Sequence, residues 1–377
     1  MSFIHIPKSW HIPASQATPE DIYLDRRQLL KTMSFGGISA LGVLTGCDRL
    51  NAWRPNKPNQ DAILQPPSTG PPQASRTQDL YPARHNPAFT LDRPLTQEYT
   101  ANKYNNFYEF AVSNIVNNYV HKFRTRPWEV EVKGLVEKPQ TFDLDDLVRM
   151  MPLEERLYRF RCVEAWAMAI PWTGFPFKAL LDKVQPMSDA KYVRMLTFLR
   201  PSEAPGQQAK WFPWPYYEGL TIEEAMNELT LLATGIYCHD LPVQHGTPIR
   251  MVTPWKYGYK SIKSIVLIEL VNEKPRTFWN DEAPSEYDFY ANVNPYIPHL
   301  RWSQATERML DTNEKRETML YNGYAPYVAH LYKTQGCGSL LIALCDLCFV
   351  KPDFRTKQCR FSKHKYKSQS TVIYRFN

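Results

Sequence analysis

Cys162 is the residue of this 377-residue sequence whose type and surroundings point most directly to chemistry. It is the only cysteine between Cys47 and Cys238, so no nearby sequence partner suggests a disulfide. Arg159 and Arg161 precede it, and arginines stabilise a thiolate, which is the form of cysteine that ligates soft metals. Free cysteine is also among the most buried residue types, so a purely structural cysteine is the competing interpretation.

Glu164 lies two residues beyond Cys162 and is a candidate proton relay for chemistry at the sulfur. The alternative is a structural salt bridge from Glu164 to Arg159 or Arg161, and the sequence leaves both interpretations open. The aromatic run at 211–217, Trp-Phe-Pro-Trp-Pro-Tyr-Tyr, either shapes an access groove for an apolar side chain or packs in the core.

The elements that must position these residues are short and of mixed type. Strands are predicted at 128–132, 249–252 and 265–270, a helix capped by Asp143 through Val148, a loop at 174–181 that enters another helix, and a capping-box helix from Thr221 through Leu229. Short helices between short strands, with many Pro and Trp residues, predict an α+β domain with an irregular mixed sheet. A Gly-rich phosphate fingerprint of the G-x-G-x-x-G type is absent from the sequence, which argues against a Rossmann fold.

Residues 1–46 have the form of an export signal. Arg26 and Arg27 lie in a run typical of twin-arginine signals, and a weakly apolar stretch follows at 33–44. That stretch is too short to span a bilayer as a helix, which takes about 20 apolar residues. Twin-arginine export carries folded proteins, commonly with a cofactor inserted. The signal therefore predicts a periplasmic protein, the twin-arginine translocase as a partner, and favours a cofactor.

The signal ends in Leu-Thr-Gly-Cys at 44–47, which resembles a lipoprotein cleavage box. A lipid on Cys47 would hold the protein on the inner membrane without spanning it. A soluble periplasmic protein cleaved nearby, with Cys47 incidental, is the alternative. Residues 47–86 are rich in Pro, Gln, Asn and Ser and are predicted to be a linker, followed by the folded domain at 87–333.

The formal net charge of +7 gives no indication of nucleic-acid binding. Residues 351–377 contain eight Lys or Arg and one acidic residue, so this segment accounts for the excess and the remainder is balanced. Within the atypical basic tail, 334–377, Cys345 and Cys348 have C-x-x-C spacing, but neither a matching second pair nor a following His appears. An altered reading frame or a non-functional extension is favoured there over zinc or redox chemistry.

Eight segments between about Leu80 and Tyr332 resemble the molybdenum domain of the sulfite oxidase superfamily, and most closely the periplasmic protein-methionine-sulfoxide reductase catalytic subunits. They are 104–110, 153–156, 158–166 (Tyr-Arg-Phe-Arg-Cys-Val-Glu-Ala-Trp), 171–176, 191–193, 254–264 (Pro-Trp-Lys-Tyr-Gly-Tyr-Lys-Ser-Ile-Lys-Ser), 289–295 and 301–308. The resemblance implies a sulfite-oxidase-type molybdopterin-binding fold. It further implies one molybdenum per chain, held by one molybdopterin dithiolene and the thiolate of Cys162.

The resemblance also implies which residues bind the pterin and its phosphate: Asn105, Tyr108, Glu109, Thr197, His245, Arg250, Ser261, Ile262 and Lys263. Arg250 and Lys263 have an independent rationale, because a terminal phosphate needs fixed positive charge and charge-assisted hydrogen bonds. Asparagine is expected at position 245 in close relatives. The imidazole of His245 is also able to donate a hydrogen bond to a pterin polar group.

The activity that the resemblance implies is reduction of methionine sulfoxide, free or within oxidised periplasmic proteins, to methionine. No haem or iron–sulfur motif accompanies the domain in the sequence, so electrons must come from another protein. The resemblance implies a membrane-embedded b-type haem subunit fed by quinol. Two alternatives stay open: another oxo-transfer enzyme of the superfamily, such as one that oxidises sulfite, and a non-catalytic periplasmic lipoprotein that binds a partner.

Overall fold

Two mixed β-sheets form the framework of the protein in the computed structural model, which describes residues 74–332. These residues all belong to the second of two compact units, Asn59–Asn377. The predicted signal (1–46), most of the predicted linker (47–86) and the predicted tail (334–377) lie outside the described residues. Within residues 74–332, no helix has both the length and the apolar character needed to cross a membrane.

The described chain consists of short strands and shorter helices, and the α+β prediction is confirmed. The strands are β1 Glu129–Gly134, β2 Gln140–Asp143, β3 Glu154–Arg161, β4 Trp166–Pro176, β5 Tyr192–Thr197, β6 Tyr217–Thr221, β7 Leu231–Ile236, β8 His239–Asp240, β9 Arg250–Val252, β10 Ile265–Val271, β11 Thr306–Met309 and β12 Lys315–Glu317. The α-helices are α1 Glu98–Lys103, α2 Leu144–Arg149, α3 Phe177–Val184, α4 Ile222–Met226, α5 Phe278–Glu282 and α6 Ala325–Val328. Single 3₁₀ turns lie at Gln78–Leu80, Asn117–Tyr119, Pro205–Gln208, Val243–His245, Gly258–Lys260, Leu320–Gly323 and Ala329–Tyr332.

The five-stranded sheet has the order β2-β1-β10-β5-β6. β1 and β10 run parallel, and the other neighbouring pairs are antiparallel. Val130 and Val132 of β1 are fully buried, because that face of the sheet packs in a core shared with apolar residues of α2 and α3. The indole of Trp128 donates to the carbonyl of Ile265 at 2.8 Å and so ties the start of β1 to β10.

The seven-stranded sheet has the order β12-β11-β4-β7-β8, with β3 paired to β4 and β9 paired to β7. β4 is its centre, since it is buried along almost its whole length and pairs with β3, β7 and β11. Cys162 lies in the turn between β3 and β4. The Cys162 amide donates to the Trp166 carbonyl at 3.0 Å, and Ala165 has a φ of 65°, so the chain reverses tightly there.

The helix-capping predictions are confirmed. The Asp143 side chain accepts the backbone N–H three residues further on at 3.1 Å. Thr221 and Glu224 form the reciprocal hydrogen bonds of a capping box at the start of α4. The helix ends at Met226, so the prediction that it continues through Leu229 is wrong.

The three predicted strands are confirmed as β1, β9 and β10, with ends displaced by at most two residues. The loop predicted at 174–181 is wrong, since β4 continues through Pro176 and α3 begins at Phe177. Gly174 is a strand residue here for a packing reason. A Cβ at this position would lie 2.2 Å from the carbonyl oxygen of Leu232, so glycine permits the close approach of β7.

Part of the segment assigned to the linker packs onto the sheets. The Asn86 amide donates to the Glu155 carbonyl at 2.8 Å, and the Tyr81 hydroxyl donates to Thr234 Oγ1 at 2.7 Å. Packed residues therefore begin upstream of residue 87. The polar, Pro-rich composition of the segment gives no indication of these contacts, because they are made to distant residues.

Candidate functional site

One cavity brings nearly all the sequence-predicted site residues together. It encloses about 930 Å³, counting the solvent at its open mouth. The predicted residues that line it are Asn105, Tyr108, Glu109, Cys162, Glu164, His245, Arg250, Ser261, Ile262 and Lys263. Thr197 does not line the cavity. It is fully buried at the end of β5, where its Oγ1 donates to the Ser264 carbonyl at 3.1 Å, beside the lining segment 261–263.

Much of the remaining wall is apolar or aromatic. Its members include Phe160, Trp166, Met168, Ile170, Trp172, Tyr216, Tyr259, Trp279 and Tyr287. From the aromatic run 211–217, Tyr216 reaches the cavity, whereas Phe212 and Trp214 pack with their ring centroids 5.6 and 5.2 Å from that of Phe278. One member of the run therefore lines the cavity and others pack in the core, while a role in guiding an apolar side chain stays a prediction.

The Cys162 thiol lies on the cavity wall with only 6% of the residue exposed. Its Sγ accepts hydrogen bonds from the Glu164 amide at 3.4 Å and from Asn106 Nδ2 at 3.5 Å. Burial, and then the nearby Glu164 carboxylate, raise the pKa of the thiol well above its ordinary value. A soft metal ion that replaces the proton removes this cost, so the site favours a metal-bound sulfur over a free thiolate.

Side chains outside the cavity lining bind the backbone carbonyls of Cys162 and Val163. The carbonyl of Val163 accepts Trp302 Nε1 at 2.8 Å and Gln304 Nε2 at 2.7 Å. The Arg161 guanidinium donates to the Cys162 carbonyl and to Gln304 Oε1. Two consecutive carbonyls are thus directed away from the cavity, which fixes the turn that carries the thiol.

Neither arginine that precedes Cys162 pairs with Glu164, so the predicted alternative of a salt bridge is wrong. Arg159 Nη2 lies 3.0 Å from Asp92 Oδ1, and Arg161 Nε lies 3.3 Å from Glu307 Oε2 in the interior. Among the described residues that line the cavity, Arg250 is the one arginine. The two arginines that precede the sulfur in the sequence therefore each pair with a carboxylate other than Glu164.

Glu164 is instead held by neutral donors. Its Oε2 accepts Trp166 Nε1 at 3.1 Å, Asn106 Nδ2 at 3.2 Å and Asn114 Nδ2 at 3.3 Å. Asn106 therefore donates to both Cys162 and Glu164. Sequence reasoning missed Asn106 and Asn114 as site residues. The position of Asn106 inside the segment 104–110 was the signal available.

A second part of the cavity is cationic. Arg250 donates to the backbone carbonyls of His245 at 2.9 Å, Ser261 at 3.3 Å and Met251 at 3.3 Å. Within residues 74–332 no carboxylate lies within ion-pair distance of it, and burial lowers its pKa to about 9. Lys263 also lines this part, and burial followed by repulsion from Arg250 lowers its pKa.

Glu109 interacts with Lys263: burial raises the pKa of the Glu109 carboxyl group, and the charge of Lys263 opposes that rise. Arg250 thus has a buried positive charge that no carboxylate within residues 74–332 pairs with at ion-pair distance, and a phosphate group would compensate it. The soft thiol and the cationic pocket therefore fit a cofactor that combines a metal with a phosphate-bearing organic group.

His245 belongs to the same part of the cavity as a neutral imidazole. Burial, and then Arg250 and Lys263, lower its pKa to about 3. Its Nε2 lies 2.8 Å from Asn102 Oδ1, an acceptor that also receives Gln244 Nε2 at 3.2 Å. Nε2 thus carries the proton and donates, which leaves Nδ1 as the acceptor of the ring.

Comparison with known proteins agrees with this donor set. The oxidoreductase molybdopterin binding domain matches residues 117–279. The chain is 43% identical over 327 residues to the protein-methionine-sulfoxide reductase catalytic subunit MsrP of Burkholderia mallei, across 85% of this chain and 93% of that protein. The solved structure of the sulfane dehydrogenase SoxCD from Paracoccus pantotrophus aligns with a TM-score of 0.40 and 13% identity, over 77% of this chain and 68% of that chain.

The MsrP protein of Burkholderia mallei is 43% identical to this chain and is matched over 93% of its length, which shows the family to which the chain belongs. The donor set of the cavity and the matched domain agree with it. The chain belongs to the family of protein-methionine-sulfoxide reductase catalytic subunits, which carry a molybdopterin-binding oxidoreductase domain of the sulfite oxidase superfamily.

Proposed function

We propose that this chain reduces methionine sulfoxide, free or within oxidised proteins of the periplasm, to methionine with a molybdenum–molybdopterin cofactor, one per chain. The observation that carries the proposal is the position of Cys162 beside Glu164 on an aromatic cavity wall from which Arg159 and Arg161 are turned away. When bound, the cofactor supplies two-electron oxygen-atom transfer chemistry. The overall reaction consumes two electrons and two protons per sulfoxide and releases the thioether and water.

The residues that would hold the cofactor fall into two groups. Cys162 would supply the protein thiolate to the metal, and the polar segments at 105–109 and 261–263 would bind the pterin. Arg250 and Lys263 would bind its phosphate, because they are buried cations with no carboxylate at ion-pair distance in the described chain. His245 would offer Nδ1 to a donor group, since its Nε2 is engaged by Asn102.

Glu164 is the residue placed to handle protons. Its Oε2 is held by three N–H donors, so its position beside the Cys162 thiol is fixed. A carboxyl group on the cavity wall can deliver a proton to an oxygen atom that leaves the substrate and can be reprotonated from the open mouth. Trp166, which donates to the same oxygen, keeps the carboxyl group oriented.

The charge of the cavity near the sulfur favours a neutral substrate. A sulfite-oxidising site needs cationic groups to offset the desolvation of a dianion. Arg159 and Arg161 pair with Asp92 and Glu307, and Arg250 lies among the groups proposed to bind phosphate. Aromatic side chains and Met168 on the wall instead suit the apolar thioether chain of methionine.

Electron supply, export and location complete the proposal. The electrons come from a membrane-embedded b-type haem subunit fed by quinol, because the chain has no haem or iron–sulfur motif of its own. The twin-arginine translocase exports the folded protein to the periplasm, and a lipid on Cys47 holds it at the inner membrane beside its donor. Arg26, Arg27 and Cys47 lie outside the described residues.

The test is metal analysis and two assays on one preparation of the exported protein. The expected result is about one molybdenum and one pterin per chain, methionine sulfoxide reduction with a reduced dye, and negligible sulfite oxidation with an artificial acceptor. Absence of molybdenum in protein made with an intact cofactor pathway would overturn the proposal. Faster turnover with sulfite would overturn the reductase assignment alone.

Replacement of the proposed metal ligand refines the test. Cys162→Ser exchanges a soft ligand for a hard one, so turnover should be lost while the fold and its thermal unfolding remain close to wild type. Cys238→Ser is the matched control, because Cys238 is an exposed free cysteine that does not line the cavity. Sulfoxide reduction retained by Cys162→Ser would remove this cysteine from the ligand role.

A further inference from the structure

The amide of Asn106 has two nearly isosteric ends, and only one of them suits its surroundings. Its Nδ2 lies 3.5 Å from Cys162 Sγ and 3.2 Å from Glu164 Oε2. A carboxylate oxygen accepts hydrogen bonds, and so does a thiolate sulfur. If the amide were rotated by half a turn, its oxygen would face both acceptors, which would exchange two attractive contacts for two repulsive ones.

The side-chain amide of Asn114 favours one of the two orientations of the Asn106 amide. Its Nδ2 donates to Asn106 Oδ1 at 2.6 Å and to Glu164 Oε2 at 3.3 Å. An amide nitrogen has two hydrogens, and here both are used. After a half turn of Asn106, the Asn114 N–H would face an N–H, so the two hydrogen bonds act together to hold Asn106 Oδ1 away from the sulfur.

The backbone of Asn114 holds the same segment independently of its side chain. The Asn114 carbonyl accepts the amide of Asn105 at 2.7 Å and closes the loop from 105 to 114. A substitution at position 114 leaves this main-chain bond possible. The side-chain contribution of Asn114 can therefore be removed without opening the loop.

We propose that Asn114 is a positioning residue for the reaction: it acts through Asn106, whose amide nitrogen it keeps directed at Cys162 Sγ and Glu164 Oε2. The inference rests on the proposed function for the identity of the reaction, but the orientation of the Asn106 amide is a property of the protein alone. Asn114 does not line the cavity and does not contact the sulfur, although it also donates to Glu164 Oε2. Its loss therefore lowers kcat through the misdirected amide and leaves the KM for sulfoxide unchanged.

The first test is a double-mutant cycle on the exported holoenzyme. Asn114→Leu should lower kcat about tenfold, the scale of one lost hydrogen bond to a charged group, with KM unchanged within about twofold. In an Asn106→Ala background the same substitution should lower kcat much less than it does in the wild-type background, because only the direct contact from Asn114 to Glu164 is left to lose. Independent effects that multiply in the double variant would overturn the proposal, as would an Asn114→Leu enzyme with wild-type kcat.

The second test reads the amide directly and does not depend on turnover. In protein labelled with ¹⁵N-asparagine, the Asn106 side-chain signal is identified by its loss in Asn106→Ala. Asn114→Leu should shift or broaden that signal, and Asn118→Ala, which replaces an exposed asparagine in the following 3₁₀ turn Asn117–Tyr119, should not. An unmoved Asn106 signal in Asn114→Leu contradicts the proposal whatever the activity.

The two tests separate this proposal from the proposed function. Wild-type protein that contains molybdenum but does not reduce sulfoxide would overturn the reaction, while the amide signal would still decide the role of Asn114. Asn114→Ala serves in place of Asn114→Leu if thermal unfolding shows that the larger side chain is not accommodated. It removes the same two donors and carries the same expected results.

Discussion

Arg250 brings a guanidinium into the cavity wall with only 2% of the residue exposed. The guanidinium donates to backbone carbonyls, which have partial negative charges and not the full charge of a carboxylate. The neighbouring His245 adapts to this charge by remaining neutral, since Arg250 and burial both oppose an imidazolium. At the scale of single residues, the buried charge of Arg250 is thus left without a carboxylate partner in the described chain, and a bound anion can balance it.

His245 provides a prediction at this scale. His245→Asn keeps a side-chain donor for Asn102 Oδ1, so the molybdenum content of the purified protein should stay within about twofold of wild type. His245→Leu leaves that oxygen with Gln244 alone and removes a polar group from the cavity wall, so molybdenum content should fall about tenfold. Metal and phosphate analysis measures both. A fully loaded Leu variant would show that position 245 takes no part in binding.

At the scale of elements, the 3₁₀ turn Pro205–Gln208 supports the polar segment 105–109 from behind. The Gln207 amide donates to the Glu109 carbonyl at 3.2 Å. Gly206 lies so close that a Cβ would be 2.1 Å from the Tyr108 carbonyl oxygen and 2.7 Å from that of Glu109. This turn does not contact the sulfur, but it packs against the backbone of Tyr108 and Glu109 and so constrains their positions.

Gly206→Ala should therefore damage the site from outside it. The obstructing atoms are backbone, so the segment 105–109 must move, at a cost of about 1–3 kcal/mol in the free energy of unfolding. We expect a lower melting temperature and reduced molybdenum content. Gln208→Ala, on the exposed side of the same turn, should change neither. Thermal unfolding and metal analysis of the two variants together decide whether the turn has this supporting role.

The sequence predicts elements where the causal residues are neighbours. Asp143 and Thr221 cap helices through partners three residues away, so spacing alone reveals them. Gly174 leads to a wrong prediction of a loop, because glycine is needed there for close contact with Leu232 on the neighbouring strand β7. Composition indicates a linker up to residue 86, and the hydrogen bond from Asn86 to the distant Glu155 cannot be read from it.

The same limit applies to the site. Cys162 and the cationic residues Arg250 and Lys263 are predictable, because their chemistry is intrinsic to the side chain. The resemblance adds the other cavity residues, but their roles stay predictions. Asn114 and Gln304 matter only through the atoms they contact, and Gln304 reaches Val163 across 141 residues of chain. Such partners have no local signal, so the structure is needed to find them.

At the scale of the whole molecule, the last described residue is fixed in a buried polar network. The Tyr332 hydroxyl donates to Glu224 Oε1 at 2.7 Å and accepts Trp255 Nε1 at 2.8 Å. Lys256 pairs with the same glutamate. The network joins three parts of the chain: Trp255 and Lys256 in the segment after β9, Glu224 in α4, and Tyr332 at the end of the predicted domain. The chain up to Tyr332 is therefore part of the packed structure.

Truncation after Tyr332 should preserve molybdenum content, activity and melting temperature, because this network remains complete. Tyr332→Phe in the full chain should lower the free energy of unfolding by about 1–3 kcal/mol, since it leaves buried polar partners unpaired. Thermal unfolding compares the two. If the truncated chain is less stable than the wild type, residues beyond 332 contribute to the fold.

Export is a prediction for the chain as a whole. Changing Arg26 and Arg27 both to Lys should leave the precursor in the cytoplasm, because the translocase reads the arginine pair. Arg54→Lys, a conservative change outside the signal, should be exported normally. Cell fractionation followed by detection of the protein measures the outcome. Normal periplasmic accumulation of the double variant would exclude this export route.

The support of the Cys162 turn also sets an order of events in folding. The carbonyl of Val163 accepts hydrogen bonds from Trp302 and Gln304, which follow it by 139 and 141 residues. β4 pairs with β11, which also lies far along the chain. Contacts this distant in sequence form late, because the intervening chain must first be brought together. We therefore expect the turn that presents the thiol to become rigid late in folding, which would favour ligand entry into a nearly completed protein.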